Sequence, residues 1–422
     1  MQIRLLKISQ NIIYIILSVF LFEQLFTVVP NTEGWFVELT YNKNFFEIIR
    51  NDEILLPPLY PLFIWFLSKL SSQLIFLRII GFGIGFLLFN QTEKLIRRVT
   101  YFLTNDKEKK ILINLASKIM SLFLINFICK NSTYLLWYDF TIIVLITQIF
   151  IINLFLLSID NFNLNNEKYK NTYLFLGSFL ILGVLLKHSN MGVFLLFFQL
   201  SMLLIWLLFK KDRLWLNKIF FWQGVSIGFC LILIFLNLLI DQNNFVTQFL
   251  SASVAAKGGE QIVFNFVMNG IDHLLNELKR LDTILLGIFL FLYLRNFPYS
   301  KYIGIFIFNL YFAYCIFNSN YNLAGYSIKI IVILFVSCLI FFIETLIFKN
   351  LSLEKFSFQK NNFNKLVFIL FGAIGCLLGN FTSAGLGYNG YYIGLVIGLI
   401  LQLTFFIELI KFTEKEKIIT LK

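Results

Sequence analysis

The residues of this chain whose types could do chemistry are few, and each lies in or beside a long apolar run. Glu33 stands in VVPNTEGWF, directly after the first such run, and Gly34 lets the backbone turn beside it. A carboxylate there can accept a proton from an acceptor hydroxyl once partial burial has tuned its pKa. As a solvated loop acid it would do nothing of the kind. Asp139, in STYLLWYDFTII, opens another apolar run. It can face Glu33 and hold a divalent cation or an acceptor group, or it can simply stabilise a helix N-terminus. Lys187 and His188 lie in LLKHSNMG, where Lys, His, Ser and Asn together suit an anionic head group, a phosphate above all. A structural role for the histidine is the plainer alternative. Lys257 precedes Gly258 and Gly259 in SVAAKGGEQ, a spacing that lets the backbone approach a phosphate closely.

Stronger motifs are missing. The sequence has no GxxxxGK[ST], no GxGxxG and no HExxH, so neither a nucleotide cradle nor a helix-borne zinc site is written in it. The five cysteines fall in no metal-like spacing and read as small buried hydrophobes. Arg78 and Glu23 sit inside apolar runs, where an ionisable group is costly and is a functional candidate by default.

The elements that must position these groups follow from composition. Hydrophobic residues make up 59% of the 422 and charged residues 14%, and mean hydropathy is +0.80. Soluble domains carry about 25% charged residues, so lipid must be the solvent for most of the chain. Disordered, disulfide-stapled and soluble-enzyme classes are excluded. A spanning helix needs about 20 apolar residues, because lipid offers no partner to a free backbone group. The segments that meet or approach this are 8–29, 75–93, 111–129, 136–158, 172–186, 191–209, 219–240, 282–294, 302–317, 325–348, 366–379 and 391–410. The expected fold is therefore all-α, a polytopic membrane protein of about twelve transmembrane helices.

The net charge of +12 has the look of a nucleic-acid signal until its distribution is considered. With the N-terminus inside, one set of alternate loops receives Lys94, Arg97, Arg98, Lys107, Lys109 and Lys110, then Lys210, Lys211, Arg213 and Lys218, and later Lys349, Lys355, Lys360 and Lys365. Most of the 35 basic residues share that side, which is the positive-inside pattern and needs no nucleic acid. Both termini are expected in the cytoplasm. Two long segments, 30–74 and 241–281, then lie outside. In the first, 35–50 has Trp35, Leu39, Phe46 and Ile49 near helical spacing, and 57–70 opens on Pro57 and Pro58. Both read as helices lying in the interface. GFGIG at 81–85 places small residues four apart, a helix-packing feature. Glu344 and Glu408 fall near inner ends, within reach of Lys349 and Lys411. One integral membrane domain, 1–422, is the simplest organisation, with a core in 1–220 that includes the loop 30–74, and further helices in 221–422 around the loop 241–281.

TEGWF after a retained first span, then PPLYPLFIW and Arg78 before the second, resembles the GT-C superfamily of membrane glycosyltransferases. Within it the likeness is to bacterial lipid-sugar-dependent mannosyltransferases and aminoarabinose transferases. It covers the first ~200 residues; beyond them only hydropathy is similar. The LLKHSNMG turn is similar to a Lys-x-Ser/Thr-Asn/Gly element of some members. The resemblance implies a polyprenyl-phosphate-linked monosaccharide as donor, transferred on the outer face of a bacterial cytoplasmic membrane to a glycan, lipid or protein acceptor. It implies Glu33 as general base, where members more often carry Asp. It further implies Asp139 on acceptor or metal, and Arg78, Lys187, His188, Lys257 and Tyr60 of PPLYPL around the donor. A His-Pro pair of some members is Leu56–Pro57 here. No organic cofactor is implied; a divalent cation between Glu33 and Asp139 is the one candidate. Two other classes compete. A polysaccharide polymerase or ligase would have an arginine-rich outer loop, whereas 241–281 contains only Arg280. A secondary transporter or lipid flippase would place ionisable groups inside its spans, as Glu23 does.

Overall fold

A computed structural model describes residues 2–26, 74–104, 109–131, 260–294, 323–347 and 392–420. It also describes shorter pieces at 44, 47, 65–67, 69–70, 145–146, 148–153, 156, 221, 224, 228, 303–304, 306–311, 366, 369–370 and 373–374. These residues are helical throughout apart from single turn or connecting positions. The helices are α1 (Gln2–Phe26), α2 (Leu74–Thr104), α3 (Lys110–Asn131), α4 (Glu260–Lys279), α5 (Leu281–Leu294), α6 (Leu323–Ile347) and α7 (Tyr392–Thr420). Among the described residues three stretches, Lys110–Ile128, Gly325–Glu344 and Tyr392–Ile410, are long and apolar enough to cross a membrane. The protein is a membrane-embedded helical bundle.

Apolar side chains from every one of these helices except α4 supply one continuous core, against which Leu274 and Leu278 of α4 are laid. Four of the hydroxyls that remain inside are satisfied locally. Ser18, Thr104, Ser121 and Thr404 each donate to the carbonyl four residues back, at 2.7 to 2.9 Å. This bond lets a hydroxyl sit in a span without a distant partner.

Two long helices outrun their apolar stretches. α2 has 31 residues, about 46 Å at 1.5 Å each, against a hydrocarbon core of about 30 Å. Lys94, Arg97 and Arg98, expected in a loop, therefore ride on its last three turns, where Arg97 lies 3.0 Å from Glu93. The turn into α3 is closed by Tyr101, whose hydroxyl donates to the carbonyl of Lys110 at 2.8 Å and lies 3.2 Å from Asn114 Oδ1. Hydropathy marks where hydrocarbon ends; nothing in the side chains of 94–104 stops a helix. α7 likewise continues to Thr420, past the expected end at 410.

α6 is the central helix of the second half, packed against α5 on one side and α7 on the other. Glycine makes both contacts possible. A Cβ on Gly287 of α5 would fall 2.6 Å from the Val336 side chain, and one on Gly394 of α7 would fall 2.6 Å from Ser327 Cα. A Cβ on Gly398 would strike the Tyr326 hydroxyl. Close approach through small residues is how helices associate where lipid is as apolar as they are. The pairings fix direction. Asp282 meets Lys329, Gly287 meets Val336 and Phe291 meets Phe341, so α5 and α6 run parallel. Between them 303–311 runs back, from Gly304 beside Phe289 to Tyr311 beside Lys329. α7 is parallel to both: it starts beside Ser327, and Phe405 stacks on Phe308 at 4.3 Å and meets Tyr293 at 4.8 Å. α7 also packs on α2 and α3, so the two ends of the sequence share one core.

Candidate functional site

Of the site residues expected from sequence, the described structure contains Arg78. It is helical and half-buried, one turn into α2, and it is engaged by a neighbouring group. Glu33, Tyr60, Asp139, Lys187, His188 and Lys257 lie outside the described residues, as do the expected interfacial helices apart from isolated positions. Glu23 is exposed near the end of α1. Gly81 and Gly85 are both buried, which suits helix packing, and Glu408 is buried near the inner end expected for α7.

A second polar constellation stands in full view at the corner between α4 and α5. α4 is the amphipathic helix of the set: Leu274 and Leu278, four apart, face the core, while Asp272, His273, Asn276 and Lys279 are exposed. It breaks at Arg280, and α5 starts one residue later with Asp282 in its first turn, where a carboxylate is favoured by the helix dipole. Two backbone bonds brace the corner: Arg280 N–H donates to the Glu277 carbonyl at 3.2 Å and Ile284 N–H to the Arg280 carbonyl at 3.1 Å. The Arg280 guanidinium bridges both acids, at 3.4 Å to Glu277 and 3.3 Å to Asp282. The Thr283 hydroxyl donates to the other Glu277 oxygen at 3.2 Å.

Lys329 completes the group from α6. Its ammonium donates to the free oxygen of Asp282 and lies 5.1 Å from the centre of the Tyr311 ring. An ammonium inside a membrane bundle needs such company, because stripping its water is expensive unless a counter-charge and a π face replace it. Two cations and two carboxylates make the cluster neutral. Lys329 is enclosed, with 7% of its side chain exposed, while Arg280 is 56% exposed. The corner therefore joins a charge anchored among the spans to one that reaches the surface.

A polar belt occupies the opposite end of α2. Arg98 donates to the carbonyl of Asn153 at 2.6 Å, and the Asn153 amide donates to the carbonyl of Gln91 at 2.9 Å, tying α2 to the helical segment at 145–156. The hydroxyls of Thr92 and Thr100 are buried there without a hydrogen-bond partner. Burial pushes the Tyr101 phenol above its ordinary pKa, an effect partly offset by the nearby Arg97. Among the described residues no group of three His, Cys, Asp or Glu side chains could hold a metal ion. The pair with which a divalent cation was associated, Glu33 and Asp139, falls outside them.

Reading the sequence did not single out Lys329 or Asp282. One charge in a run as apolar as 325–348 vanishes in a hydropathy average, and its partner lies 47 positions away. The rule that drew attention to Glu23, that an ionisable group within a span has a reason to be there, applied equally to Lys329. Fold and cluster together define a helical membrane protein with a charged corner at one end of its bundle. No family model, curated protein or solved structure matches the chain.

Proposed function

We propose that the protein is an integral membrane glycosyltransferase. It moves a monosaccharide from a polyprenyl-phosphate donor to a cell-envelope acceptor on the outer face of the cytoplasmic membrane, with Glu33 as general base. The observation that carries most weight is the α4–α5 corner. An amphipathic helix runs into the short apolar helix α5 through Arg280, and on the basic-residue distribution of the sequence that end of the bundle is expected outside. A donor of this kind lies with its tail in the bilayer and its phosphosugar at the interface. It needs an interfacial helix to rest against and cations near the departing phosphate. Arg280, Arg78 and Lys257 are the cations that this reading places on that side. Glu33 takes the proton of the attacking hydroxyl, Asp139 orients the acceptor or a divalent cation, and Tyr60, Lys187 and His188 contact the donor.

The test uses purified protein in lipid with a panel of polyprenyl-phosphate sugars and envelope extract as acceptor. Release of lipid phosphate by wild type, abolished in folded Glu33→Gln, is the expected result. Equal turnover by the two proteins removes Glu33 from the chemistry. The Lys329–Asp282 pair favours one second reading, a secondary transporter or lipid flippase, because ionisable pairs among spans mark substrate and proton paths. Substrate flux across sealed liposomes, with no turnover of any donor, would decide for it.

A further inference from the structure

α3 carries a lysine where hydropathy places hydrocarbon. Lys118 stands eight residues inside Lys110–Ile128, a stretch apolar enough to cross a membrane, and is half-buried. Its ammonium lies 5.4 Å from the centre of the Tyr14 ring, and among the described residues no carboxylate is paired with it. Lys329, enclosed in α6, has Asp282 as well as a ring. A π face alone replaces little of the water that an ammonium gives up, so Lys118 at the centre of a bilayer would be costly.

The register of the helices puts it at the edge instead. Tyr101 of α2 reaches the Lys110 carbonyl and Asn114 of α3, so 101 lies beside about 112. Joined by that turn and packed together, the two helices are antiparallel. Seven residues back along α2 and seven forward along α3, Lys94 and Lys118 are level to within about one residue. An independent measure gives the same level. A hydrocarbon core of about 30 Å takes about 20 residues of helix; counted from Leu74, where α2 starts, they end at Glu93, one position before Lys94. Of the other bases at this end, Arg97 is held by Glu93 at 3.0 Å and Arg98 by Asn153 at 2.6 Å. Lys94 is exposed.

We propose that the anionic head groups of the leaflet on this side dock at the level of Lys94 and Lys118, with a lipid phosphate as the counter-ion of Lys118. On the basic-residue distribution of the sequence that leaflet is the inner one. Lipid phosphate fits by charge and by position: it lies where the stem of a lysine rests on hydrocarbon and the ammonium leaves it. Tyr14, beside Lys118, is the kind of ring that sits at such a boundary. α3 then enters hydrocarbon at Lys118, eight residues after its apolar stretch begins, and has covered about 20 Å of it by Asn131. The last three turns of α2 and the first two of α3 form a helical hairpin that stands out of the hydrocarbon. None of this rests on the transferase reading.

The experiment places an encoded fluorescent amino acid at Ile111, Ile119 or Phe123, each about half exposed on α3. The full-length protein is held in vesicles whose lipids carry a nitroxide at the head group or at a chosen depth along the acyl chain. The probe at 119 should be quenched best by the head-group nitroxide, the probe at 123 by one about 6 Å deeper, and the probe at 111 by no acyl-chain nitroxide. If Lys110–Ile128 is instead centred in the bilayer, Ile119 lies about 14 Å deep, and strongest quenching there by chain-end nitroxides overturns the proposal. A second measurement counts phosphatidylglycerol and phosphatidylcholine retained by the protein in native mass spectrometry. Wild type should favour phosphatidylglycerol. Lys118→Gln should lower that preference about fivefold, the worth of one basic residue at an anionic surface, and Lys118→Arg should keep it. An unchanged preference in folded Lys118→Gln refutes the docking. So does displacement of the lipid by free inorganic phosphate, which gives the site to a soluble anion. The depth measurement keeps both lysines, so it decides even if Lys118→Gln fails to fold.

Discussion

Asp282→Asn is the sharpest perturbation of the charged corner, because it strands an ammonium that has little water. The Lys329 side chain is 7% exposed and its partner 50% exposed. Removing one member of a fully buried pair costs about 3–5 kcal/mol. Water reaches the Asp282 side, and helices unfolded in a membrane find other partners, so about 2–3 kcal/mol is expected here. Lys329→Met keeps the length of the side chain and leaves Asp282 with Arg280, a surface pair worth about 0–1 kcal/mol. That variant should lose less than about 1 kcal/mol. The double variant should match it, giving a coupling of about 2 kcal/mol. The assay is reversible unfolding of the four full-length proteins in mixed lipid–detergent micelles, with near-ultraviolet dichroism as the signal. If Asp282→Asn is as stable as wild type, or the double variant loses the sum of the two single losses, the pair does not hold the corner and the argument fails.

Gly287→Ala should destabilise by about 1–3 kcal/mol through overpacking, and Val336→Ala should restore only part of it, because alanine removes Cγ1 but keeps the Val336 Cβ, which stands at the same 2.6 Å. Gly394→Ala should cost at least as much with no rescue from Ser327→Gly, since Ser327 Cα and its carbonyl oxygen stand at 2.6 and 2.8 Å; thermal melts of single and double variants separate the two cases. Asn153→Leu should cost about 1 kcal/mol by removing the amide that donates to the Gln91 carbonyl, while Arg98 keeps the Asn153 backbone carbonyl; the loss is seen as a lower denaturant midpoint. Tyr101 binds its proton more tightly folded than unfolded, so its contribution is whole below the ordinary phenol value of 10.0 and falls as pH rises beyond it. Above pH 10.0 wild type should lose more stability than Tyr101→Phe does; parallel loss in both would refute that assignment.

What the sequence made legible depended on the length over which each signal is averaged. α3, α6 and α7 are runs of apolar residues as long as a bilayer is thick, and their starts lie within two positions of expectation. α4 escaped notice because a helix with one apolar face has no apolar run; in 241–281 the eye went to Lys257–Gly258–Gly259 and passed over Leu274 and Leu278. The last turns of α2 were read as loop because Lys94, Arg97 and Arg98 end the hydrophobic stretch, although Arg and Lys are good helix formers. Arg78 was visible as a charge out of place. Lys329 was equally out of place, but its meaning came only with Asp282 and Tyr311, which no local spacing brings to it.

The packing of α7 on α2 and α3 has a consequence for how the protein is made. Roughly 260 residues separate the end of α3 from the start of α7, which at about 5–20 residues per second is on the order of ten seconds to a minute of synthesis. Throughout that interval the faces of α2 and α3 that α7 will cover stand in the bilayer without it. Insertion and assembly are therefore separate events for this chain, and a ribosome stalled before Tyr392 would leave an inserted but unfinished bundle, recognisable to quality control by the seam that α7 closes.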